Sequence, residues 1–116
     1  YEPWGYTPLE SVAFHVPTIT TDLAGFGLWV NSLKGRYSEL KDGVKVIHRS
    51  DYNYSEVADV IKDTISEFSG LPENVIKTMR KKCGGHCGKG IVEAFYSSII
   101  MKLMMWHCIM HRKGLL

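Results

Sequence analysis

The sequence predicts an α/β fold in which parallel strands are flanked by helices. Two short segments are β-branched and apolar, as the strands of parallel sheets are, and helical patterns precede, separate and follow them. Two strands alone cannot bury both faces of such a sheet. The pattern is therefore typical of the carboxyl-terminal end of a larger doubly wound domain.

The first three elements lie in the amino-terminal third of the chain. Thr7 can cap a short helix, with Pro8 in its first turn, where a missing N–H costs nothing. This helix is expected to run to about Phe14. "VPTITT" predicts a strand over 16–21, and a short helix is predicted over 27–33.

The later elements follow a polar loop. "VKVIH" predicts a second strand over 44–48. The next helix is expected from about Ser55 to Phe68, because apolar residues recur there at intervals of three and four, and Gly70 ends it. Pro72 then starts another helix.

Composition divides the chain into residues 1–82 and residues 83–116. The first part contains ten Lys or Arg and eleven Asp or Glu, whereas the second contains four Lys or Arg and a single acid, Glu93. The second part also holds all three cysteines and four of the five methionines. We expect 1–82 to be the carboxyl-terminal part of the α/β domain and 83–116 to be an atypical helical tail.

Charge and hydropathy argue against two classes of partner. A net charge of +2 over 116 residues points to no strong electrostatic partner such as nucleic acid. No apolar run approaches the roughly 20 residues that a membrane span needs. We therefore expect no nucleic-acid partner, no membrane partner and, by default, a cytoplasmic location.

The first ten residues, "YEPWGYTPLE", place Glu2 and Glu10 on either side of a tight loop. A loop that turns into a helix presents free backbone N–H groups and the positive end of the helix dipole, which suits a diphosphate. Gly5 lets the backbone approach closely, and Thr7 adds a hydroxyl. The two carboxylates could then hold hydroxyl groups on either side, so the motif describes a nucleotide-sugar site. The alternative is two solvated acids beside a helix start.

This loop, followed by "PTITTDLAGFG", closely resembles the glycogen synthases of the animal, fungal and Bacteroidetes type. Those enzymes carry a Glu, seven residues and a second Glu in a loop close to YEPWGYTPxE, which this chain has in full at Glu2–Glu10. The resemblance extends to about Lys82. It implies a retaining glucosyltransferase with two Rossmann-like domains, the GT-B fold. It also implies a nucleotide-glucose donor such as UDP-glucose, an α-1,4-glucan acceptor extended at its non-reducing end, and no metal or bound cofactor.

The resemblance assigns roles to matching positions. Glu2 is implied to lie beside the transferred glucose, where it stabilises the developing positive charge or orients hydroxyl groups. Glu10 is implied to bind the ribose hydroxyls of the nucleotide. The glucose and diphosphate are implied to be lined, largely through backbone N–H groups, by Trp4, Gly5, Tyr6 and Thr7.

His15 departs from the family, which usually has glycine between this helix and the following strand. Glycine there suits a left-handed helix end. Histidine is uncommon but tolerable in that conformation, so we expect His15 to cost some stability and not to be a catalytic group.

The resemblance further implies that the chain is a fragment. The amino-terminal domain of such enzymes supplies Arg and Lys to the phosphates, and it has no counterpart in these 116 residues. The cleft between the two domains could not form. We therefore expect the polypeptide alone to be inactive.

Two alternatives stay open at the level of sequence. One is another retaining GT-B transferase, such as a starch or sucrose synthase, although starch synthases resemble Cys-Gly-Leu at the position of Trp4-Gly5-Tyr6. The other is a non-enzymatic metal-binding module, because zinc takes cysteine and histidine ligands. Its spacing matches known zinc sites weakly. The candidate ligands are Cys83, His86, Cys87, His107, Cys108 and His111.

The unusual composition of 83–116 also suggests a reading-frame hypothesis. The codons of Met104 to His107 are fixed as ATGATGTGGCA plus a pyrimidine, and two bases in they encode only Asp-Val-Ala. A string compatible with the aromatic, acidic carboxyl-terminal helix of glycogen synthases is hidden there. We hypothesise that 83–116 is read out of frame, with one slip near Cys83 and a second near Ser97, which the nucleotide sequence would test.

Overall fold

The computed structural model describes residues 4–84 and 90–115. Its elements follow the alternating order that the sequence predicts, with a 3₁₀ turn over Leu40–Asp42 before the second strand. They are α1 (Tyr6–Ala13), β1 (Thr18–Thr21), α2 (Gly25–Lys34), β2 (Val44–Ile47), α3 (Tyr54–Ser69), α4 (Glu73–Gly84) and α5 (Ile91–Arg112).

The two strands form a small parallel sheet among helices, which is compatible with the predicted α/β class. Thr18 is paired with Val44 and Thr21 with Ile47, so the carboxyl ends of both strands meet at one edge of the sheet. The second strand is largely buried, whereas every residue of β1 is half-buried. This strand begins at Thr18 and not at residue 16, and Pro17 has no N–H to donate to a ladder at that point.

The core lies where the sheet meets α1, α2, α4 and the first turns of α5. Each of these elements contributes at least one side chain that is almost completely buried. The cluster consists of Val12, Phe26, Val30, Val44, Val46, Cys83 and Ile91. The first turn of α5 therefore closes the same core that α1 and the strands begin.

The start of α1 differs from the expectation. The N-cap is Gly5 and not Thr7, which is an exposed residue within the first turn of the helix. Gly5 adopts φ 97° and ψ 63°, a left-handed conformation that a residue with a Cβ rarely takes. The helix thus begins one residue earlier than Thr7, at Tyr6.

The far end of α5 leaves the core. Beyond its first turns the side chains are mostly exposed, including Leu103 and Trp106. The helix expected in the tail is therefore present, but most of it has no packing partner among the described residues. In the same ranges, no helix has both the length and the hydropathy that crossing a membrane requires.

Candidate functional site

The loop that precedes α1 lies at the carboxyl edge of the sheet. Because α1 packs on β1 and leads into its amino end, the start of the helix and the end of the strand share one edge. The N–H of Phe26, which follows β1, donates a 2.6 Å hydrogen bond to the carbonyl of Trp4. This bond ties the loop before α1 to the start of α2, at the edge where parallel sheets bind ligands.

Gly5 is fitted closely into this junction. A Cβ at Gly5 would lie 3.3 Å from the Pro8 ring and 3.4 Å from the Cβ atoms of Ala24 and Phe26. Both the left-handed backbone and the neighbouring atoms therefore favour glycine. Because the N-cap is a glycine, α1 begins without a side-chain cap.

Aromatic packing holds Trp4 in place. Its ring meets the edge of Phe26, with the ring centroids 6.4 Å apart and the planes at 84°. On another side it lies 6.0 Å from Phe95 of α5, which in turn meets Trp29 of α2 edge-on at 5.8 Å. The Trp4 side chain is half-buried in this cluster, so side chains of α2 and α5 together hold the backbone beside it.

The other predicted site residues stay accessible. Tyr6 and Thr7 are exposed in the first turn of α1, and Glu10 is exposed one helical turn further on. Glu2, the predicted catalytic residue, lies outside the described residues. The structure thus places Trp4 and the amino end of α1 at one edge of the sheet, with the Thr7 hydroxyl in the first turn and the Glu10 carboxylate one turn further on.

Physically, this arrangement favours an anion with hydroxyl groups nearby. The backbone N–H groups and the dipole at the start of a helix attract a phosphate, and a carboxylate accepts hydrogen bonds from sugar hydroxyls. Of the residues in this loop, Glu10 is the titratable carboxylate that the structure describes, and its exposure keeps it available to a ligand.

Asp22 is a residue at this edge that the sequence analysis did not identify. It follows β1 directly and accepts three hydrogen bonds: 2.9 Å from the backbone N–H of Arg49, 3.0 Å from the hydroxyl of Tyr37, and 2.7 Å from Nδ1 of His48. Two strand ends side by side create this cluster. The available signal was the position of Asp22 and His48, each immediately after a strand.

The environment of Asp22 keeps its carboxylate ionised. Burial alone raises the pKa of Asp22, but the hydrogen bonds from His48, the Arg49 backbone and Tyr37 outweigh that effect and hold the pKa below its ordinary value of 3.8. The Asp22 side chain is only 10% exposed, whereas that of His48 is 64% exposed. The carboxylate is therefore the less exposed group of the pair, and the imidazole is the accessible one.

His15 has the left-handed conformation that the resemblance to the family implied. Its φ is 60°. Among the described residues, His15 is the one residue other than glycine with a positive φ. The Nε of Arg80 donates a 3.1 Å hydrogen bond to its carbonyl, and the imidazole packs so closely on Gly84 that a Cβ there would overlap the ring. These contacts make His15 part of the junction between α1 and α4.

The alternative metal cluster receives no support from the described residues. Cys83 is fully buried, and its thiol lies 3.6 Å from the carbonyl of Gly43. Burial raises the pKa of Cys83 to about 11, so the thiolate that zinc requires is disfavoured. His86 and Cys87 lie outside the described residues. Within 4–84 and 90–115, no three histidine, cysteine or acidic side chains are grouped closely enough to hold a metal.

The remaining candidate ligands lie on α5. His107 and His111 are one helical turn apart with ring centroids 6.4 Å from each other, and Cys108 is exposed beside them. All three are on the part of α5 that has left the core. The buried thiol of Cys83 lies among the core residues instead.

Comparison with known proteins places these observations in context. The family model described as glycogen synthase matches residues 1–83. Over 82 residues the chain is 34% identical to glycogen [starch] synthase isoform 1 of Saccharomyces cerevisiae, which covers 71% of this chain and 11% of that protein. Over 69 residues it is 35% identical to glycogen [starch] synthase of Neurospora crassa, covering 60% of this chain and 10% of that protein.

A shorter stretch is more similar to a mammalian relative. Over 30 residues the chain is 57% identical to the liver glycogen [starch] synthase of Mus musculus, covering 26% of this chain and 4% of that protein. The chain spans about a tenth of the length of the fungal relatives it matches. The family match ends at residue 83, which is where the composition of the chain changes.

Proposed function

Because the chain belongs to the glycogen synthase family, we propose that residues 4–10 form the donor-binding loop of a glucosyltransferase. The observation that carries this proposal is the left-handed Gly5 immediately before α1. The helix begins directly after it, beside the carboxyl edge of the sheet, and the hydrogen bond from the Phe26 N–H to the Trp4 carbonyl holds the loop there.

The proposed roles follow the chemistry of each group. The diphosphate of a nucleotide-glucose would accept hydrogen bonds from the N–H groups at the start of α1, with Tyr6 and Thr7 lining it. Glu10, exposed one turn later, would accept hydrogen bonds from the ribose hydroxyls. Trp4 would line the glucose, and Glu2 would lie beside it and stabilise the positive charge that develops on the sugar.

The proposed reaction is transfer of glucose, with retention, from a nucleotide-glucose such as UDP-glucose to the non-reducing end of an α-1,4-glucan. As the bond between glucose and diphosphate breaks, negative charge grows on the leaving phosphate. Preorganised N–H groups at a helix start stabilise such charge without reorganising during the reaction. The transfer is proposed for a protein of the relatives' length with the GT-B fold, of which this chain would supply the donor loop.

The test is a titration of the chain with UDP-glucose in which NMR measures the backbone amide shifts of residues 4–7, 9 and 10. We expect the amides of Tyr6 and Thr7 to shift most, since they would point at the diphosphate. Glu10→Gln should weaken binding about tenfold, the loss of a charged hydrogen-bond acceptor. Glu67→Gln, on an exposed face of α3, is the matched control and should bind like the unchanged chain.

Two outcomes would contradict the proposal. The first is an absence of shifts at residues 4–10 when UDP-glucose, ADP-glucose and UDP are each raised to millimolar concentration. The second is equal weakening by Glu10→Gln and Glu67→Gln, which would place the nucleotide elsewhere. The same samples, given UDP-glucose and glycogen, should incorporate no glucose, and incorporation would refute the expectation that the chain alone is inactive.

A further inference from the structure

We infer that Asp22 is a positioning residue for the donor loop, acting through the turn between β1 and α2. The inference rests on the proposed function of residues 4–10, because it explains how their backbone is held. The three hydrogen bonds to Asp22 join the end of β1 to the segment after β2 and to the loop after α2. Its carboxylate therefore fixes one end of the turn that leads into α2.

The first link runs from Asp22 to the start of α2. Only Leu23 and Ala24 separate Asp22 from the first helical residue, so the turn has little freedom of its own. A Cβ at Gly27 would overlap the carbonyl oxygen of Thr21 and lie 3.4 Å from the Cα of Asp22. The first turn of α2 is thus pressed onto the backbone that Asp22 holds.

The second link runs from the start of α2 to the donor loop. The N–H of Phe26 holds the carbonyl of Trp4 at 2.6 Å, and the atoms around Gly5 include the Cβ atoms of Ala24 and Phe26. A displacement of α2 at its first turn would therefore change the position of both Trp4 and Gly5. Asp22 lies two residues before Ala24 and four before Phe26, although its side-chain hydrogen bonds do not reach the loop itself.

A carboxylate suits this position better than an isosteric amide. Its two oxygens accept from a backbone N–H, a hydroxyl and an imidazole, while an amide offers one acceptor oxygen and replaces the other with donors. Because the Asp22 side chain is only slightly exposed, water cannot easily replace a lost bond. Asp22→Asn should therefore loosen the turn while preserving side-chain volume.

Asp42 provides a matched control at the opposite edge of the sheet. It precedes β2 and accepts bonds of 2.8 and 3.1 Å from Arg36 and one of 3.0 Å from the N–H of Glu39. Asp42→Asn removes a carboxylate with the same number of bonds, but at a distance from the donor loop. A general loss of stability would affect both variants, whereas loosening of the loop would be confined to Asp22→Asn.

The experiment is hydrogen exchange of the Phe26 amide in the unchanged chain and in both variants. The quantity compared is the exchange rate of the Phe26 amide divided by that of slowly exchanging core amides in the same protein. In Asp22→Asn this ratio should be at least about tenfold higher than in the unchanged chain, which corresponds to the loss of one hydrogen bond to a charged group. In Asp42→Asn this ratio should be unchanged. An equal ratio in both variants, or no change in Asp22→Asn, would overturn the inference.

Two further arms keep the test decisive. If Asp22→Asn does not fold, Tyr37→Phe is the substitute variant, because it removes one hydrogen-bond donor to the Asp22 carboxylate at a half-exposed position. It should raise the exchange ratio of the Phe26 amide by less than Asp22→Asn would. Its failure to do so in a folded protein would overturn the inference. UDP-glucose binding should also weaken in Asp22→Asn and not in Asp42→Asn. If the unchanged chain binds no nucleotide, the proposed function fails, while the exchange ratio still decides the role of Asp22.

Discussion

Substituting alanine at Gly5 tests whether the left-handed start of α1 is specific to its surroundings. Gly5 has φ 97° and ψ 63°, which lies beyond the small left-handed region that other residues occupy. A left-handed conformation costs a residue with a Cβ about 1–2 kcal/mol, and the less flexible unfolded chain returns about 0.4–1 kcal/mol. The new Cβ would also meet three atoms at 3.3–3.4 Å, which must yield by a few tenths of an ångström.

Gly35 is the matched control for this substitution. It ends α2 with φ 67° and ψ 14°, and a Cβ there would lie in open space. We expect Gly35→Ala to lower the free energy of unfolding by about 0.5–1 kcal/mol from backbone strain alone. Gly5→Ala should lower it by about 2 kcal/mol, because strain and close packing add there.

Gly27→Ala is the third variant of the series, and its expected destabilisation comes from close packing alone. Within a helix, alanine is ordinarily better than glycine by roughly 0.5–1 kcal/mol. At Gly27, however, a Cβ would overlap the carbonyl oxygen of Thr21, which is backbone and cannot swing aside. Gly27→Ala should therefore be the most destabilising of the three, at about 3 kcal/mol or more.

Urea unfolding of the three variants measures these differences, provided that the slope with urea concentration stays constant. The reasoning predicts the order Gly27→Ala, Gly5→Ala, Gly35→Ala from greatest to least loss. Equal losses for Gly5→Ala and Gly35→Ala, within about 0.4 kcal/mol, would refute the claim that the loop is packed against α2. UDP-glucose binding should weaken in folded Gly5→Ala and not in Gly35→Ala.

Three further predictions concern thiols, acid and the tail. In the folded chain at pH 8, iodoacetamide should label exposed Cys108 quickly and Cys83 slowly, because burial raises the pKa of Cys83 to about 11; peptide mass spectrometry measures both rates. Because the pKa of Asp22 is lowered in the folded state, its carboxylate stabilises the fold above its ordinary pKa of 3.8, and this stabilisation is lost as the pH falls through the lowered pKa. The difference in unfolding free energy between the unchanged chain and Asp22→Asn should therefore shrink from about pH 5 to about pH 2. The exposed apolar part of α5 should cause association that sedimentation detects, reduced by Leu103→Glu but not by Ser97→Glu.

Local sequence signals predicted the elements better than their ends. Both strands, the four helices expected before the tail and a helix within the tail are present, because their apolar spacing is a local property. The cap of α1 was assigned wrongly to Thr7. Threonine is a common N-cap, but the choice of Gly5 depends on contacts with Ala24 and Phe26, which are distant in sequence.

The Asp22 cluster shows why part of the candidate site was missed. The sequence separates Asp22 from His48 by 26 residues, and nothing local relates them. They meet only because the strands are parallel and in register, so that each residue follows the same edge. Once the strand order is known, the residues that follow the strands become predictable site candidates, which is the general property of parallel sheets.

In the tail, the helix was predicted from the sequence, but the residues that it packs against were not. No periodicity in the sequence indicates that Phe95 would pack against Trp4 and Trp29, because apolar residues occur on every face of α5. A helix selected to pack on one side would confine them to one stripe. The exposed apolar residues beyond the first turns are therefore what the out-of-frame hypothesis for 83–116 predicts, and single-base changes that restore a family-like reading in the nucleotide sequence would establish it.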